Sequence, residues 1–457
     1  MRWDVVVIGG GLAGHAAAID AAATGARVLM LESQPKVGGS TVLSGGSFAF
    51  ARTADQEARQ IRDSDERLAE DMRAVAGGAA DDALVQVYAD NQFDAWKWLT
   101  DRGVTFGPVQ AASGQSVPRQ HPANPREVIR ILAEEVAANP AITLWVNAKA
   151  TRLHRDPATQ RVTGVSVLRD GEAVEVAVGG GVVLASGGFS RNAEMMETFA
   201  PAQAAAKRVG GAGSQGEGLK LAWALGAGLR DMGYIKGTFG NHPGAGPEQH
   251  TAMLGIYKGA IAVNKAGHRF ANESISYKLL GDACLAQPGA VGFQILDQGI
   301  MDTAVPEVPI FNFQRRIEEG LLFREPTLQA LAKRIEVDPV ALAATVAAYN
   351  AGIDAGRDAF GRTGLVQGFG ALKKLETAPF YAYPSTSAVI ATYCGLTVDT
   401  GMRVLDVFGA PIEGLFAAGE ITGGFHGKAF MTGTSLGKCV ICGRIAGRNA
   451  ATALVEA

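Results

Sequence analysis

Gly9, Gly11 and Gly14 follow directly on the β-branched run at residues 5–8 and open an alanine-rich segment, and Glu32 closes the next apolar run at residues 26–31. The order is strand, glycine turn, helix, strand, acid. Bare backbone at Gly9 permits a tight turn, at Gly11 it lets the chain approach a pyrophosphate, and at Gly14 it lets helix and strand pack closely, so that the helix N-terminus faces the phosphates. A carboxylate at Glu32 accepts both hydroxyls of an adenosine ribose. The chemistry implied is dinucleotide binding. A second run of small residues, Gly38, Gly39, Ser40, Thr41, Ser44, Gly45 and Gly46, stands close behind the acid and suits FAD, whose flavin half needs more bare backbone to lie against.

Other reactive side chains give less direction. Arg119 and His121 fall in an irregular polar stretch, residues 104–124, where they either hold a substrate carboxylate or form a surface ion pair. His15 is expected to be structural and His426 to pack near the flavin. Cys284, Cys394, Cys439 and Cys442 lack the second pair of a zinc site and the histidine of a haem attachment, so no metal is expected. A net charge of −3 over 457 residues leaves no electrostatic footprint for nucleic acid, and the expected partners are small molecules. No apolar run reaches the roughly 20 residues of a membrane span. A first strand at residue 4 leaves no length for a signal peptide, so the expected compartment is the cytoplasm.

These residues need a scaffold. Helical patterns fill residues 54–101, and residues 125–138 place Val128, Ile129, Leu132 and Val136 on one side. Strand-like pieces follow at 142–146, 162–168, 173–177 and 181–189. Gly216, Glu217 and Gly218 then open a further helix. The texture changes near Lys236 and changes back near Pro384, while residues 396–399, 415–420 and a helix from Ser435 read as a return to the first sheet. The expected fold is α/β: a Rossmann-like FAD-binding domain assembled from both chain ends (1–235 and 386–457), with an α+β capping domain inserted at 236–385.

The chain resembles the flavoproteins of the fumarate reductase and succinate dehydrogenase superfamily, in the soluble branch that includes the 3-ketosteroid Δ1-dehydrogenases. The resemblance runs nearly end to end and rests on residues 9–14, Glu32, 38–46, 183–189, 216–218, His242-Pro243, 264–277 and 417–447. It implies a substrate held between cap and flavin ring, and FAD contacts at Gly9, Gly11, Ala13, Gly14, Glu32, Ser40, Thr41, Gly45, Gly46, Ala148, Ala150, Glu217, Ala391, Glu420, Ser435 and Leu436. Ser40 occupies the position of the covalent flavin histidine of succinate dehydrogenases, so the FAD is expected to be non-covalent.

Departures from the family pattern direct the choice of substrate. Where fumarate-reducing members carry an arginine proton donor, Arg269-Phe270-Ala271-Asn272-Glu273 leads here to Tyr277. Their clamping histidine falls in residues 390–395, which contain Ala391 and Tyr393, and a further arginine falls at Phe430. A dicarboxylate held without those cations would leave charge unpaired. The resemblance to ketosteroid dehydrogenases implies Tyr277 as catalytic base and places Phe430 and Gly433 at the substrate carbonyl; Tyr257, His242, Lys258 and Lys278 are candidate helpers of the phenol, and Tyr393 and Arg119 candidate substrate contacts. The expected activity is desaturation of a cyclic ketone, an oxocyclohexane carboxylate or a 3-ketosteroid, with electrons leaving to oxygen or a redox carrier. The alternatives are reduction of an activated alkene, and a flavin electron-transfer subunit without its own substrate.

Overall fold

The computed structural model describes residues 2–249, 251–366 and 369–453. Strand β1 (Arg2–Ile8) leads through the glycine turn into helix α1 (Leu12–Ala22) and strand β2 (Val28–Leu31). β1 is buried from Val5 onward because it lies at the centre of a parallel sheet. On one side it pairs with β2, Val5 opposite Val28, and on the other with the strand Glu172–Leu184, Val7 opposite Val183. The strand Ile142–Trp145 extends the sheet beyond β2, and Pro411–Ala417 extends it beyond Glu172–Leu184.

One sheet therefore combines strands from the first 184 residues with a strand from the last fifty. The helix Thr434–Thr452 completes this layer by packing on α1. Two sequence expectations are corrected here. Residues 173–177 and 181–184 form one continuous strand, and Gly395–Leu396 pairs with Leu229–Arg230 in a separate ribbon instead of rejoining the main sheet.

A second, six-stranded sheet runs antiparallel through Thr238–Asn241, Phe380–Val389, Gly292–Asp297 and Ile261–Asn264, with the short strand Lys207–Arg208 added in parallel beside Phe380–Val389. It has its own hydrophobic core around Phe239, Ile261, Ile295 and Tyr383, and it carries the helix Tyr277–Leu285. Phe430, from the C-terminal stretch, buries its ring in this second core, and Tyr393 packs against it. The seam between the two cores is thus filled by aromatic side chains.

Candidate active site

The glycine turn works as its spacing implies. Gly9 has φ 122°, and a Cβ built on Gly14 would run into the Gly9 carbonyl oxygen, so no larger residue lets α1 sit this close to β1. Gly11 caps α1 without a side-chain hydrogen bond, which leaves the positive helix end open. Next to it the Leu12 amide donates to Thr41 Oγ1 at 3.2 Å.

A cavity of ≈ 470 Å³ runs from this turn past Glu32 to Glu420, lined by Gly9, Gly11, Ala13, Ser40, Thr41, Ala148, Ala150 and Glu217 among others. Glu32 is oriented by accepting the Gly10 amide and the Gln34 amide, each at 2.8 Å. At the other end Glu420 Oε1 accepts the Thr392 amide at 2.9 Å, and burial pushes its carboxyl above the ordinary range. Amides at a helix end, an acid at the end of β2 and a second acid further along fit a dinucleotide with a polyol arm. Ser40 Oγ meets Ser214 Oγ at 3.1 Å and accepts the Gly211 amide at 3.1 Å, so the hydroxyl at the family's covalent position serves the loop at residues 210–214. That loop lines the cavity. Its small-residue run just before Gly216 was the available signal, and sequence reasoning missed it.

The remaining expected FAD contacts lie outside this cavity, Gly14 among them, since it packs on the Gly9 carbonyl. Gly46 abuts the Ala123 carbonyl, Gly45 faces Ile310 of the second core, Ala391 is buried beside Thr392, and Ser435 and Leu436 form the first turn of Thr434–Thr452. That helix starts at Gly433, φ 96°, with no side-chain cap. A side chain at Gly433 would collide with the backbone of Phe48 and Ala49, and its carbonyl accepts the Ala49 amide at 3.2 Å.

Beside this helix end lies the aromatic seam. Tyr277 begins the helix Tyr277–Leu285 because Ser276 caps it, accepting the Lys278 amide. Its ring centre is 6.4 Å from Phe430 and 6.3 Å from Tyr257. Phe430 stacks on Tyr393 at 4.8 Å, and His426 meets both edge-on. Tyr393 holds a left-handed backbone (φ 55°), a conformation that strains non-glycine residues by roughly 1–3 kcal/mol and gathers at working sites. The Tyr277 hydroxyl oxygen accepts a hydrogen bond from Thr432 Oγ1 at 3.1 Å, and burial raises its pKa above the ordinary phenol value. Lys278 Nζ is buried over Tyr393, 4.8 Å from the ring centre, and donates to Thr238 Oγ1 at 2.7 Å. Burial lowers its pKa to about 7.

Several expected members are elsewhere. Tyr257 donates its phenolic proton to the Ile275 carbonyl and accepts the Tyr277 amide, so it positions the Tyr277 backbone instead of moving protons. His242 packs edge-on against Tyr383 and accepts the Gly244 amide, and among the described residues no contact joins it to Tyr277. Lys258 sits over Phe311. Arg119 is no substrate clamp: its guanidinium is buried and closed by Asp63, at 2.7 and 2.8 Å, and by Asp71. His121 is held by Thr53 Oγ1 and the Arg119 carbonyl. His15 bonds back to the Gly11 carbonyl, a structural role.

Residues 4–436 match the family model described as an FAD binding domain. The chain is 31% identical over 456 residues to the cytochrome-type fumarate reductase of Shewanella frigidimarina, covering 98% of this chain and 77% of that protein. Its backbone follows the open conformation of a flavocytochrome c3 fumarate reductase with TM-score 0.83 and 28% identity, over 100% of this chain and 79% of that one. It also follows 3-ketosteroid-Δ4-(5α)-dehydrogenase from Rhodococcus jostii RHA1 with TM-score 0.77 and 27% identity, over 98% and 97%. A cradle fitted to FAD, set beneath a second domain that bears a buried phenol and matched along nearly its whole length, makes this chain an FAD-dependent oxidoreductase belonging to the FAD-binding family of the fumarate reductase and succinate dehydrogenase flavoproteins.

Proposed function

We propose that the protein exchanges two hydrogens with a carbon–carbon bond beside a carbonyl in a ring-bearing substrate without a second carboxylate, and that Tyr277 handles the proton. The observation that carries this reading is the buried Tyr277 hydroxyl at the seam, beside the start of Thr434–Thr452, among Phe430, Tyr393 and Lys278. Bound FAD would supply the two-electron half of the chemistry, exchanging hydride with the carbon β to the carbonyl.

A free phenol ionises near pH ~10, and burial holds this one protonated well beyond that. The protonated form therefore carries the hydrogen that the carbon α to the carbonyl takes up when an activated alkene is reduced, whereas desaturation starts from the ionised form. The likeness to fumarate reductases supports reduction. Fumarate itself fits poorly. Phe430 and Tyr393 present rings, Arg119 is consumed by Asp63 and Asp71, and Lys278 offers one cation that is half neutral near pH 7. A second carboxylate in such surroundings would be desolvated without a partner.

Desaturation of a cyclic ketone is the second reading. It uses the same residues in reverse and is supported by the likeness to a ketosteroid dehydrogenase. It requires Tyr277 to shed its proton first. Lys278, whose Nζ is 6.0 Å from the Tyr277 ring, is the nearby amine whose neutral form is populated at neutral pH.

The test is anaerobic mixing in both directions. Dithionite-reduced holoprotein is mixed with cyclohexenone, a steroid enone or fumarate while flavin reoxidation is followed, and oxidised holoprotein is mixed with the matching saturated ketones while bleaching is followed. Reoxidation by an enone, with fumarate inert, is expected. Bleaching by a ketone outpacing that reoxidation selects desaturation, and fumarate outpacing the enones contradicts the proposal.

A further inference from the structure

We propose that Thr432 is a positioning residue that aims the Tyr277 proton, and that Gln115 of the neighbouring loop holds Thr432 in place. The inference rests on the reading of Tyr277 given above, and starts from how a hydroxyl bonds. A phenol has one hydrogen to donate and lone pairs to accept with. Thr432 Oγ1 donates to the Tyr277 oxygen at 3.1 Å, so the phenolic hydrogen is not spent in that bond and is left to point at a substrate carbon.

Thr432 is held on both sides of its peptide. Its amide donates to the Ser113 carbonyl at 3.0 Å, and its carbonyl accepts Gln115 Nε2 at 3.0 Å. Gln115 is itself buried and oriented, its Oε1 accepting the Ala112 and Arg119 amides at 3.2 and 3.1 Å. The same short loop is anchored at its far end, where Arg119 closes on Asp63 and Asp71 and the Ser116 amide donates to Asp71 at 2.7 Å. A continuous run of hydrogen bonds therefore leads from a buried ion-pair cluster to the hydroxyl that orients the phenol. The sequence 431–434 also leads into the start of the helix Thr434–Thr452, where the Thr434 amide donates to the Met431 carbonyl at 3.2 Å, so Thr432 is fixed relative to that helix end as well as to the loop. Removing the Thr432 hydroxyl lets the phenol rotate and removes a donor that favours its ionised form.

The test compares Thr432→Val, Thr432→Ser and Tyr277→Phe holoproteins, with Gln115→Met as a milder perturbation. Lys278, Tyr257, Tyr393 and His426, the titratable neighbours, stay unchanged. Two readouts are used: reoxidation of dithionite-reduced flavin by cyclohexenone across pH, and the titration of ring-fluorinated tyrosine by fluorine NMR, with the Tyr277 signal assigned by its loss in Tyr277→Phe. Thr432→Val is expected to slow reoxidation roughly tenfold to a hundredfold, with the cyclohexenone KM unchanged. The pH limb of the rate and the Tyr277 fluorine titration should both move upward. Thr432→Ser should restore both, and Gln115→Met should shift them less in the same direction. If Thr432→Val keeps the wild-type rate and fluorine titration while Tyr277→Phe is impaired, the Thr432 proposal fails and the role of Tyr277 stands. If Tyr277→Phe is itself unimpaired, the reading of Tyr277 fails, and the fluorine titration alone decides whether Thr432 orients that phenol.

Discussion

At one end of the site, the polar groups that line the cavity are backbone amides at the β1–α1 turn and two carboxylates, Glu32 and Glu420, each already oriented by a backbone amide. At the seam side chains stand instead: Tyr277 and Lys278 from the second sheet's layer, and Tyr393, Phe430 and Thr432 from the returning C-terminal stretch. The first end recognises a shape that every FAD shares, so it tolerates little change in backbone. The second recognises whatever the rings and hydroxyls allow, so its chemistry can be altered by one side chain while the fold stays intact.

The largest effect is expected at Gly14. Gly14→Val would drive a side chain into the Gly9 carbonyl, and the expected product is protein without flavin, read from the ratio of flavin to protein absorbance after purification. Retained flavin would show that the turn can relax. Next in size is Arg119→Met. Asp63 is fully buried and would lose its guanidinium, so a stability loss of about 3–5 kcal/mol in urea is expected, with KM unaltered in the folded fraction. A raised KM at unchanged stability would instead return Arg119 to the role of anion clamp.

A further test uses pH. Burial lowers His121 to about 4, so the folded state leaves it neutral where the unfolded chain, near 6.5, binds a proton. Its stabilising contribution is complete above about pH 6.5 and is lost as pH falls toward about 4, an effect of order 3 kcal/mol. Urea midpoints should therefore fall across that window, and His121→Gln should flatten the fall. The smallest effect is expected at Lys278. Lys278→Met removes a buried amine held over Tyr393, changes stability by only about 1–2 kcal/mol, and should delete an ionisation near pH 7 from the turnover profile. A profile that keeps this ionisation would remove Lys278 from the proton chemistry.

The same contrast explains what could be read from residues alone. Gly9, Gly11, Gly14 and Glu32 are constrained by local backbone geometry within thirty residues, so spacing exposes them, and the alternation of strand and helix around them exposes the sheet. Tyr277 was reachable through its place in the Arg-Phe-x-Asn-Glu segment. Thr432 and Gln115 were not, because their meaning comes from hydrogen bonds spanning 155 and 317 positions. Arg119 was ambiguous for a related reason: an arginine beside a histidine in a polar loop looks available until the helix Asp65–Ala76 and the loop before it, more than forty residues away, bring Asp71 and Asp63 to it. His242 lies in another neighbourhood, against Tyr383, while Tyr257 lies beside Tyr277 with its proton given to the Ile275 carbonyl.

The claim on which the seam depends is that a phenol moves the proton. Its most direct test is single-turnover reoxidation of the dithionite-reduced Tyr277→Phe holoprotein by an enone that reoxidises the wild type. The account predicts full flavin content and a rate lowered roughly 10²–10⁴-fold. Reoxidation at the wild-type rate, with flavin content intact, would contradict it.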